Sequence, residues 1–382
     1  MSKSPYDKDF RLGVLGGGQL GRMMQQEAVN LDIKLACLDP AADAPCSQIV
    51  PEFVQGSFND EKTVYEFGKN KDVLTVEIEH VSIPALKRLN AEGVKVFPQP
   101  ELLEIVQDKR LQKEFYKAKG LPTADFRLIN SKEELNSHVD FLPFAQKLRK
   151  GGYDGKGVQI IRTEEDFDKA FDAPCVLEKF VDFEKELAVI AARNESGDSN
   201  TFPTVELEFN PEANLVELLF APADISEEVE KKAQEIARKT IEAFGFVGIL
   251  AVELFLTPDG DILVNEVAPR PHNSGHHTIE ANTTSQYGQH LRCILNLPLG
   301  DTGLTKPAAM VNLLGEPGFQ GPVKYEGLNQ ALSKPGVYPH LYGKSETKPF
   351  RKMGHVTITA ETSSEARKLA NEIKNTIKVK SW

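Results

Sequence analysis

Two glutamates and an asparagine at a predicted β-hairpin are the side chains whose spacing indicates chemistry most directly. The segment GILAVELFLTPDGDILVNEV holds Pro-Asp-Gly-Asp between two apolar runs, which predicts two antiparallel strands joined by a turn. Glu253 would lie in the first strand and Asn265 and Glu266 in the second. If the turn centres on Asp259 and Gly260, both carboxylates could lie on one face. Such carboxylates repel each other unless a hard cation lies between them, and Mg²⁺ takes carboxylates together with substrate phosphates. The alternative is an ordinary solvated hairpin.

A glycine-rich segment, KLRKGGYDGKGVQI, is a second candidate site. It has four glycines within seven residues, between two apolar runs, and Lys147, Lys150 and Lys156 surround them. Such a loop can close over a ligand and present backbone N–H groups and lysines to phosphate oxygens. It is not a P-loop, because G-x-x-x-x-G-K-[ST] is absent. Phosphate binding and a plain surface turn both stay open on this pattern alone.

The next segment, CVLEKFVDFEKELAVI, begins as a buried strand and carries Glu178, Lys179 and Glu186. Backbone groups around residues 179–181 could hydrogen-bond the edge of an adenine, and Glu186 could accept hydrogen bonds from ribose hydroxyls. Taken by itself, an acidic loop between two strands is the simpler interpretation.

Near the N-terminus, LGVLGGGQLGRMM matches the glycine pattern of dinucleotide-binding turns. Gly16, Gly18 and Gly21 fit G-x-G-x-x-G, and Asp39 ends the next apolar run 18 residues after Gly21. This is the outline of a βαβ unit that binds a pyrophosphate at a helix N-terminus. A nicotinamide dehydrogenase would follow from this turn alone, but it would leave the other three segments unexplained.

Composition and charge narrow the class of protein. Apolar residues make up 40% and charged residues 26% of the 382 residues, a globular mixture. The net charge of −11 argues against nucleic-acid binding. Without a long apolar run or a signal peptide, we expect a cytoplasmic protein with no membrane partner. Residues 331–382 are nevertheless basic, with ten Lys and Arg against four Glu, and could supply cations to a small anion. The four cysteines lie far apart and are expected to be reduced, buried thiols.

The elements that must position these side chains fall into three regions, which we place at residues 1–100, 101–300 and 301–382. In the first, strand-like and helix-like segments alternate, as in a parallel sheet covered by helices. In the second, a single helix runs to Gly120, short strands follow, and a strongly periodic helix over 225–245 precedes the hairpin. In the third, AAMVNLL and HVTITA read as strands and SSEARKLANEIKNTI as a closing helix.

In this order, the glycine-rich loop, the acidic segment and the hairpin resemble the ATP-grasp superfamily, in which two α+β lobes clamp ATP and Mg²⁺. The strings GVLGGGQLGRM, EIEHV, GGYDGKG, NEVAPRPHNSGHHT and YGKSETKPFRKMGHVTI resemble the N5-carboxyaminoimidazole ribonucleotide synthetase family over nearly the whole chain. The resemblance implies an α/β and α+β fold: a Rossmann-like N-terminal domain, a two-lobed ATP-grasp domain and a small C-terminal α+β domain. A sibling formyltransferase that acts on glycinamide ribonucleotide shares the glycine-rich start, but HNSGH and RKMGH favour the carboxylase.

The resemblance also implies an activity. Members are ligases of de novo purine biosynthesis that join ATP, bicarbonate and 5-aminoimidazole ribonucleotide. The products are N5-carboxyaminoimidazole ribonucleotide, ADP and phosphate, and carboxyphosphate is the intermediate. ATP and Mg²⁺ are the implied cofactors, and a homodimer is the implied assembly.

Residues for the nucleotide and the metal follow from the same resemblance. Lys109 and Lys147 would contact the phosphates, Asn265 would lie beside them, and Glu253 and Glu266 would hold Mg²⁺. The flap over the phosphates would comprise Gly152, Tyr153, Asp154, Gly155, Lys156, Gly157 and Val158. The adenine and ribose would contact Glu178, Lys179, Phe180, Val181 and Glu186. The chain departs from the family at Phe209, where a histidine near the nucleotide is common.

Residues for the other two substrates are implied in the same way. Arg270 would bind bicarbonate and then carboxyphosphate, because a guanidinium matches a planar carboxylate, with His272 and Asn273 assisting. Tyr153 and Asp154 would lie at the substrate imidazole, Asp154 as a proton acceptor. The ribonucleotide would contact Gln19, Leu20, Glu79, Lys344 and Arg351.

Overall fold

A five-stranded parallel sheet forms the N-terminal region of the computed structural model, which describes residues 3–152, 157–212 and 214–382. Its elements are β1 (Leu12–Leu15), α1 (Gln19–Val29), β2 (Leu35–Asp39), β3 (Glu52–Gln55), α2 (Glu61–Gly68), β4 (Val73–Val76), α3 (Ile83–Ala91) and β5 (Lys95–Val96). The strand order is β3-β2-β1-β4-β5, so the order reverses between β1 and β4. Ligands of such sheets bind at the carboxyl ends of the strands on either side of the reversal. The predicted Rossmann-like domain is confirmed.

A break at Gln107–Asp108 divides the long helix that the sequence predicts. The two parts are α4 (Pro100–Val106) and α5 (Lys109–Ala118). The Asp108 carboxylate accepts a hydrogen bond from the Arg110 N–H at the start of α5, which is the role of an aspartate at a helix N-cap. Arg149 holds the same carboxylate at 2.7 Å. The predicted single helix was therefore wrong, because a capping aspartate starts a second one.

A four-stranded antiparallel sheet forms the smaller lobe of the middle region. It comprises β6 (Phe126–Ile129), β7 (Phe144–Leu148), β8 (Val158–Ile161) and β9 (Cys175–Lys179), in the order β6-β9-β7-β8. Two 3-10 segments, Lys132–Phe141 and Glu164–Lys169, cover it. The glycine-rich segment, which is the predicted flap, lies between β7 and β8 in the chain.

A nine-stranded antiparallel sheet joins the larger lobe to the C-terminal region. The larger lobe contributes β10 (Lys185–Arg193), β11 (Ser199–Thr201), β12 (Val205–Asn210), β13 (Leu215–Ala221), α6 (Glu227–Phe244), β14 (Gly248–Leu256), β15 (Ile262–Ala268), α7 (Thr278–Ala281) and α8 (Gln286–Ile294). The order is β15-β14-β10-β12-β13 and then three strands from beyond residue 307, with β11 beside β10. The sheet therefore continues across the boundary that we place at residue 300.

The C-terminal region adds strands to this sheet and closes it with a helix. Its elements are β16 (Ala308–Leu314), β17 (Gly321–Glu326), α9 (Leu328–Leu332), β18 (Val337–Leu341), β19 (Glu346–Thr347), β20 (Lys352–Thr359), α10 (Ser363–Thr376) and β21 (Lys378–Ser381). Thr362 and Glu365 form a capping box at the start of α10, which explains why the sequence predicts this helix so closely. The four cysteines are buried and carry free thiols, as predicted. No helix within the described ranges is long and apolar enough to cross a membrane.

Candidate active site

The predicted hairpin is present, and a bulge in it gathers three polar side chains on one face. β14 and β15 flank the turn, and Glu253 pairs directly with Glu266. The register shifts beside this pair, because Leu254 pairs with Val264 and leaves Asn265 as the extra residue. A bulge puts two residues opposite one and re-aims a side chain. Asn265 and Glu266 thus both lie opposite Glu253, while the valines on either side of them stay in the core.

Alternation along the strands separates this polar face from the core of the larger lobe. Leu187 and Val189 of β10 and Val252 of β14 pack with α6. Their neighbours Glu186 and Glu253 therefore point to the opposite face, since successive strand residues alternate. That face is turned toward the smaller lobe, and it carries the acidic residues that the sequence analysis selected.

The acid pair is electrostatically asymmetric. Burial, together with the charges of Glu266 and Glu186, raises the pKa of Glu253 to about 8. Lys109 lowers the pKa of Glu266 to about 2, and its Nζ lies 2.7 Å from Glu266 Oε2. Burial alone would lower the pKa of Lys109, but Glu266 outweighs it and the pKa lies above its ordinary value. Lys109 therefore stabilises the charged form of Glu266, whereas burial and the neighbouring carboxylates disfavour the charged form of Glu253.

A second lysine, Lys147, forms an ion pair within the smaller lobe and a hydrogen bond across to the hairpin of the larger lobe. Lys147 Nζ of β7 lies 3.0 Å from Glu178 Oε2 and 2.9 Å from Asn265 Oδ1. Burial opposes ionisation of Glu178, but Lys147 and Lys113 together hold its pKa below the ordinary value. Lys147 therefore connects the smaller lobe to the bulge of the hairpin. Both lysines expected at the ATP phosphates are within reach of the acidic face.

Some polar groups of the segment between the lobes, residues 179–181, already form hydrogen bonds within the protein. The N–H of Lys179 donates to the Asp125 carbonyl at 2.8 Å, and that of Phe180 donates to the Pro143 carbonyl at 3.1 Å. Lys179 Nζ donates to the carbonyl of Leu142 at 2.8 Å. Burial raises the pKa of Glu186 to about 7. Recognition of an adenine edge therefore falls to the other backbone groups of residues 179–181, and contact with the base stays a prediction.

Arg270, directly after the hairpin, joins the acidic face to the N-terminal domain. Its Nη2 lies 2.7 Å from Glu79 Oε1, so two residues expected at different substrates are neighbours. His272 Nε2 lies 3.6 Å from Glu253 Oε1. The Asn273 side chain exchanges two hydrogen bonds with Asn312 of β16, at 2.9 and 2.7 Å. Asn273 thus fixes this segment to the sheet, and its assistance to bicarbonate stays a prediction.

The glycine turn holds an internal carboxylate where a dinucleotide-binding turn would hold a pyrophosphate. Glu77, which follows β4, accepts hydrogen bonds from the N–H groups of Gly18, Leu20 and Gly21 at 2.9, 3.1 and 3.0 Å. Asp39 accepts from the N–H of Gly17 at 2.8 Å. The donors that a pyrophosphate would need are occupied, which removes the basis for a nicotinamide site. The Leu20 side chain is buried, so only Gln19 of the predicted pair has a side chain with partial exposure.

The basic C-terminal region reaches the N-terminal domain through one loop. Ser345 Oγ donates to Asp43 Oδ2 at 3.1 Å, and Gly343 lies against the Arg22 guanidinium. Lys344 Nζ donates to the Lys352 carbonyl at 2.7 Å. Arg351 Nη1 donates to the Glu346 carbonyl at 2.6 Å. Both cations expected at the substrate phosphate are therefore near the loop that faces the glycine turn.

Part of the predicted flap falls outside the described residues. Tyr153, Asp154, Gly155 and Lys156 belong to this part, and their expected roles stay predictions. Gly152 precedes them, and Gly157 has φ +86°, a conformation that favours glycine. Val158 begins β8 and pairs with Lys147, so the predicted flap ends beside a lysine of the site. Phe209 of β12 packs against an apolar cluster.

Three family models match the chain in the order of its regions. The ribonucleotide synthetase preATP-grasp domain matches residues 10–107, the ATP-grasp domain matches 114–287, and the phosphoribosylaminoimidazole carboxylase C-terminal domain matches 308–369. The N5-carboxyaminoimidazole ribonucleotide synthase of Bacillus subtilis is 38% identical over 373 residues, which cover 96% of this chain and 95% of that protein. The chain belongs to the N5-carboxyaminoimidazole ribonucleotide synthetase family.

Other members of this synthetase family give the same result. The phosphoribosylaminoimidazole carboxylase of Ogataea methanolica is 40% identical over 381 residues, which cover 96% of this chain and 69% of that protein. The synthetase structure from Thermotoga maritima is 45% identical, with a TM-score of 0.90 over 98% of this chain and 100% of that one. A structure from Aspergillus clavatus in complex with ADP and 5-aminoimidazole ribonucleotide is 35% identical, with a TM-score of 0.88 over 96% of this chain and 98% of that one. The expected three-part fold is confirmed.

Several residues at this synthetase site were missed from the sequence. Glu77 has no role in the sequence analysis, although it is a carboxylate that directly follows the buried strand β4, beside the strand of the glycine turn. Arg22 and Asn312 carry no signal beyond their residue type. Lys113 is the most informative omission, because it lies four residues after Lys109 on one helix and therefore on the same face.

Proposed function

We propose that this chain catalyses the ATP-dependent carboxylation of 5-aminoimidazole ribonucleotide by bicarbonate. The products are N5-carboxyaminoimidazole ribonucleotide, ADP and phosphate. The observation that carries the proposal is the direct pairing of Glu253 with Glu266, beside two lysines and close in the chain to Arg270. The family relatives support it, since one related structure binds ATP and another binds ADP with 5-aminoimidazole ribonucleotide.

The acid pair fits Mg²⁺. Carboxylate and amide oxygens are the donors that this ion accepts from proteins, with the remaining positions filled by phosphates and water. The raised pKa of Glu253 is an electrostatic cost that a divalent cation would remove. Glu253 and Glu266 would hold the metal, with Asn265 beside the phosphates. When bound, Mg²⁺ would neutralise charge on the triphosphate during transfer of the γ-phosphoryl group.

The lysines of the site would exchange partners when ATP binds. In the structure Lys109 is paired with Glu266, and Lys147 with Glu178 and Asn265. The triphosphate competes with these carboxylates for the lysines because its total negative charge is larger than that of a single carboxylate. Lys109 would release Glu266 for the metal, and Lys147 would turn to the phosphates. The charges that are needed in the transition state are thus in place before the substrate arrives.

Arg270 is the residue for bicarbonate and carboxyphosphate. A bicarbonate oxygen attacks the γ-phosphorus, and the bond from that phosphorus to the bridging oxygen of ADP breaks. The substrate amine then attacks the carboxyl carbon of carboxyphosphate, the C–O bond to phosphate breaks, and the amine loses a proton. The pairing of Arg270 with Glu79 places the cation between the acidic face and the sheet edge at β1 and β4. Asp154, by resemblance, would accept the proton.

The ribonucleotide would lie at that sheet edge, where the strand order reverses. Gln19 and Leu20 border this edge from α1, and Glu79 borders it from the loop after β4. Lys344 and Arg351 would bind the 5′-phosphate from the C-terminal region. The protein would act in the cytoplasm as a homodimer, and light scattering on the purified chain measures the assembly.

The experiment that tests this proposal measures ADP release with purified protein, ATP and Mg²⁺. Release should require both 5-aminoimidazole ribonucleotide and bicarbonate, and omission of either should reduce it to background. Formate with glycinamide ribonucleotide serves as the matched alternative pair. Turnover with that pair alone would exclude the carboxylase and favour the sibling formyltransferase. Radiolabelled bicarbonate recovered in an acid-labile product would identify the carboxylated amine.

A further inference from the structure

Lys113 is a fully buried cation that none of the roles above uses. It lies on α5, and its side chain is 1% exposed, whereas lysines are almost never fully buried unless they are paired. Burial lowers its pKa to about 8. Its Nζ lies 3.3 Å from Glu178 Oε2 and donates to Thr123 Oγ1 at 2.6 Å. Moving a charged group out of water costs free energy, so the burial of this lysine calls for an explanation.

Glu178 has two cations on the same oxygen. Lys147 Nζ lies 3.0 Å and Lys113 Nζ 3.3 Å from Oε2. The two lysines differ in what else they reach. Lys147 reaches the polar face of the hairpin through Asn265, whereas Lys113 donates to Thr123, whose hydroxyl is bound to the backbone of β15. Only Lys147 is therefore placed to leave Glu178 for a ligand on the acidic face.

The departure of Lys147 would be costly if Glu178 had no other partner. A buried carboxylate without a counter-ion is strongly destabilising, and breaking one side of a buried pair costs more than the pair contributes. With Lys113 in place, Glu178 keeps a cation after Lys147 has turned to the phosphates. The exchange of partners then leaves no unpaired charge in the interior.

We propose that Lys113 is a positioning residue, which keeps Glu178 neutralised while Lys147 moves from Glu178 to the phosphates of ATP. Lys113 acts through Glu178 and does not touch the nucleotide. The proposal rests on the proposed function only in taking ATP as the ligand of Lys147. It extends that function by assigning the third lysine of the site.

A purely structural role is the competing explanation. Lys113 also donates to Thr123 Oγ1, and that hydroxyl donates to the Val264 carbonyl of β15 at 2.8 Å. This chain of hydrogen bonds ties α5 to the hairpin strand. A structural role would change stability and would affect both substrates alike. A positioning role, in which Lys113 lets Lys147 leave Glu178, would affect the binding of ATP and not that of the ribonucleotide.

The first test replaces Lys113 by methionine, which has similar length and no charge. Calorimetry should give a Kd for Mg-ATP about 10- to 100-fold higher than that of the unmodified protein. The KM for 5-aminoimidazole ribonucleotide should stay within about twofold, because a lost interaction with one substrate need not change the other. The control is Lys117→Met, an exposed lysine on the same helix, which should leave both constants unchanged. Equal effects on the two substrates, or a change in Tm alone, would overturn the proposal.

The second test separates charge from structure. Thr123→Val removes the link to β15 and keeps Lys113, so it should lower Tm without a large change in the Kd for Mg-ATP. Glu178→Gln removes the charge that Lys113 neutralises. Adding Lys113→Met to Glu178→Gln should change the Kd no further, because interacting residues are non-additive. An independent effect of Lys113→Met in that background would contradict the proposal.

The same measurements distinguish this proposal from the proposed function. Binding of Mg-ATP is measured without turnover, so it tests Lys113 whichever substrate is carboxylated. If Lys113→Met does not fold, the comparison of Glu178→Gln with the double variant still tests the positioning role. Neither of these two variants has a buried carboxylate at position 178 that could be left unpaired. Absence of ADP release with 5-aminoimidazole ribonucleotide would refute the function alone. Unchanged ATP affinity in Lys113→Met would refute the positioning role alone.

Discussion

Replacing Glu253 by glutamine should stabilise the metal-free protein while removing its activity. The substitution keeps the size of the side chain and eliminates the carboxylate that faces Glu266. In the absence of metal, the folded protein holds these two acids opposite each other, whereas the unfolded chain separates them. The two opposed acids therefore lower the stability of the folded protein when no metal is bound, which is a known trade-off at active sites.

The size of the effect follows from the pKa of Glu253. Folding raises this pKa from 4.5 to about 8, and the side chain is only 18% exposed, so water screens little of the cost. Below pH 4.5 both states are protonated and the protonated carboxyl contributes its full stability. That contribution is lost as the pH rises toward 8. At pH 7 the loss is roughly 3 to 4 kcal/mol, from 2.5 pH units at about 1.4 kcal/mol each.

The assay is thermal unfolding in a metal chelator between pH 5 and pH 8. Glu253→Gln should have the higher Tm at pH 7, by about 5 °C, and the difference should shrink toward pH 5. Added Mg²⁺ should raise the Tm of the unmodified protein and leave that of the variant almost unchanged. Glu208→Gln, an exposed glutamate on β12 that is 51% exposed, is the control and should show neither effect. A Tm difference that is absent, or constant from pH 5 to pH 8, would refute the reasoning.

Three further substitutions test the other assignments. Glu266→Gln should reduce ATP turnover by at least about 100-fold with an unchanged circular dichroism spectrum, since it removes a metal ligand; near-normal turnover would contradict the metal assignment. Arg351→Ala should raise the KM for the ribonucleotide about tenfold at constant kcat, the result of lost uniform binding. If the KM for ATP changed instead, Arg351 is misplaced. Glu77→Ala should lower the free energy of unfolding by about 2 to 4 kcal/mol, because three N–H groups lose their acceptor; an unchanged urea midpoint would argue against this.

The parts of the fold that the sequence predicts well are those whose local pattern is strong. The buried parallel strands β1, β2 and β4 are continuous apolar runs, which is typical of strands covered on both faces. The edge strand β3 was missed because EFVQ is only half buried and has no such run. In the C-terminal region, β17 and β18 each contain a proline, a residue that argues against a strand when the sequence is read alone.

The candidate site was predictable where chemistry and turn residues coincide. Pro-Asp-Gly-Asp marks the hairpin, and a turn centred on Asp259 and Gly260 would bring Glu253 opposite Glu266, which is the pairing that the structure has. The bulge at Asn265 was not predictable, because it depends on the register of two strands. Lys113 was missed for a different reason. The spacing of four residues puts Lys109, Lys113 and Lys117 on one face of the helix, and the packing of Glu178 against α5 is what distinguishes the buried Lys113 from the exposed Lys117.

The glycine turn shows why a fingerprint can indicate a fold correctly and a ligand wrongly. The spacing G-x-G-x-x-G lets an anion approach the N-terminus of a helix, whichever molecule carries that anion. Here the anion comes from the chain itself. A Cβ atom at Gly16 would lie 2.5 Å and one at Gly18 2.7 Å from the side chain of Glu77, so these glycines are required by an internal carboxylate. A carboxylate directly after the strand that pairs with the glycine-turn strand is therefore the signal that excludes a dinucleotide, and in this chain it leaves the sheet edge free for a different substrate.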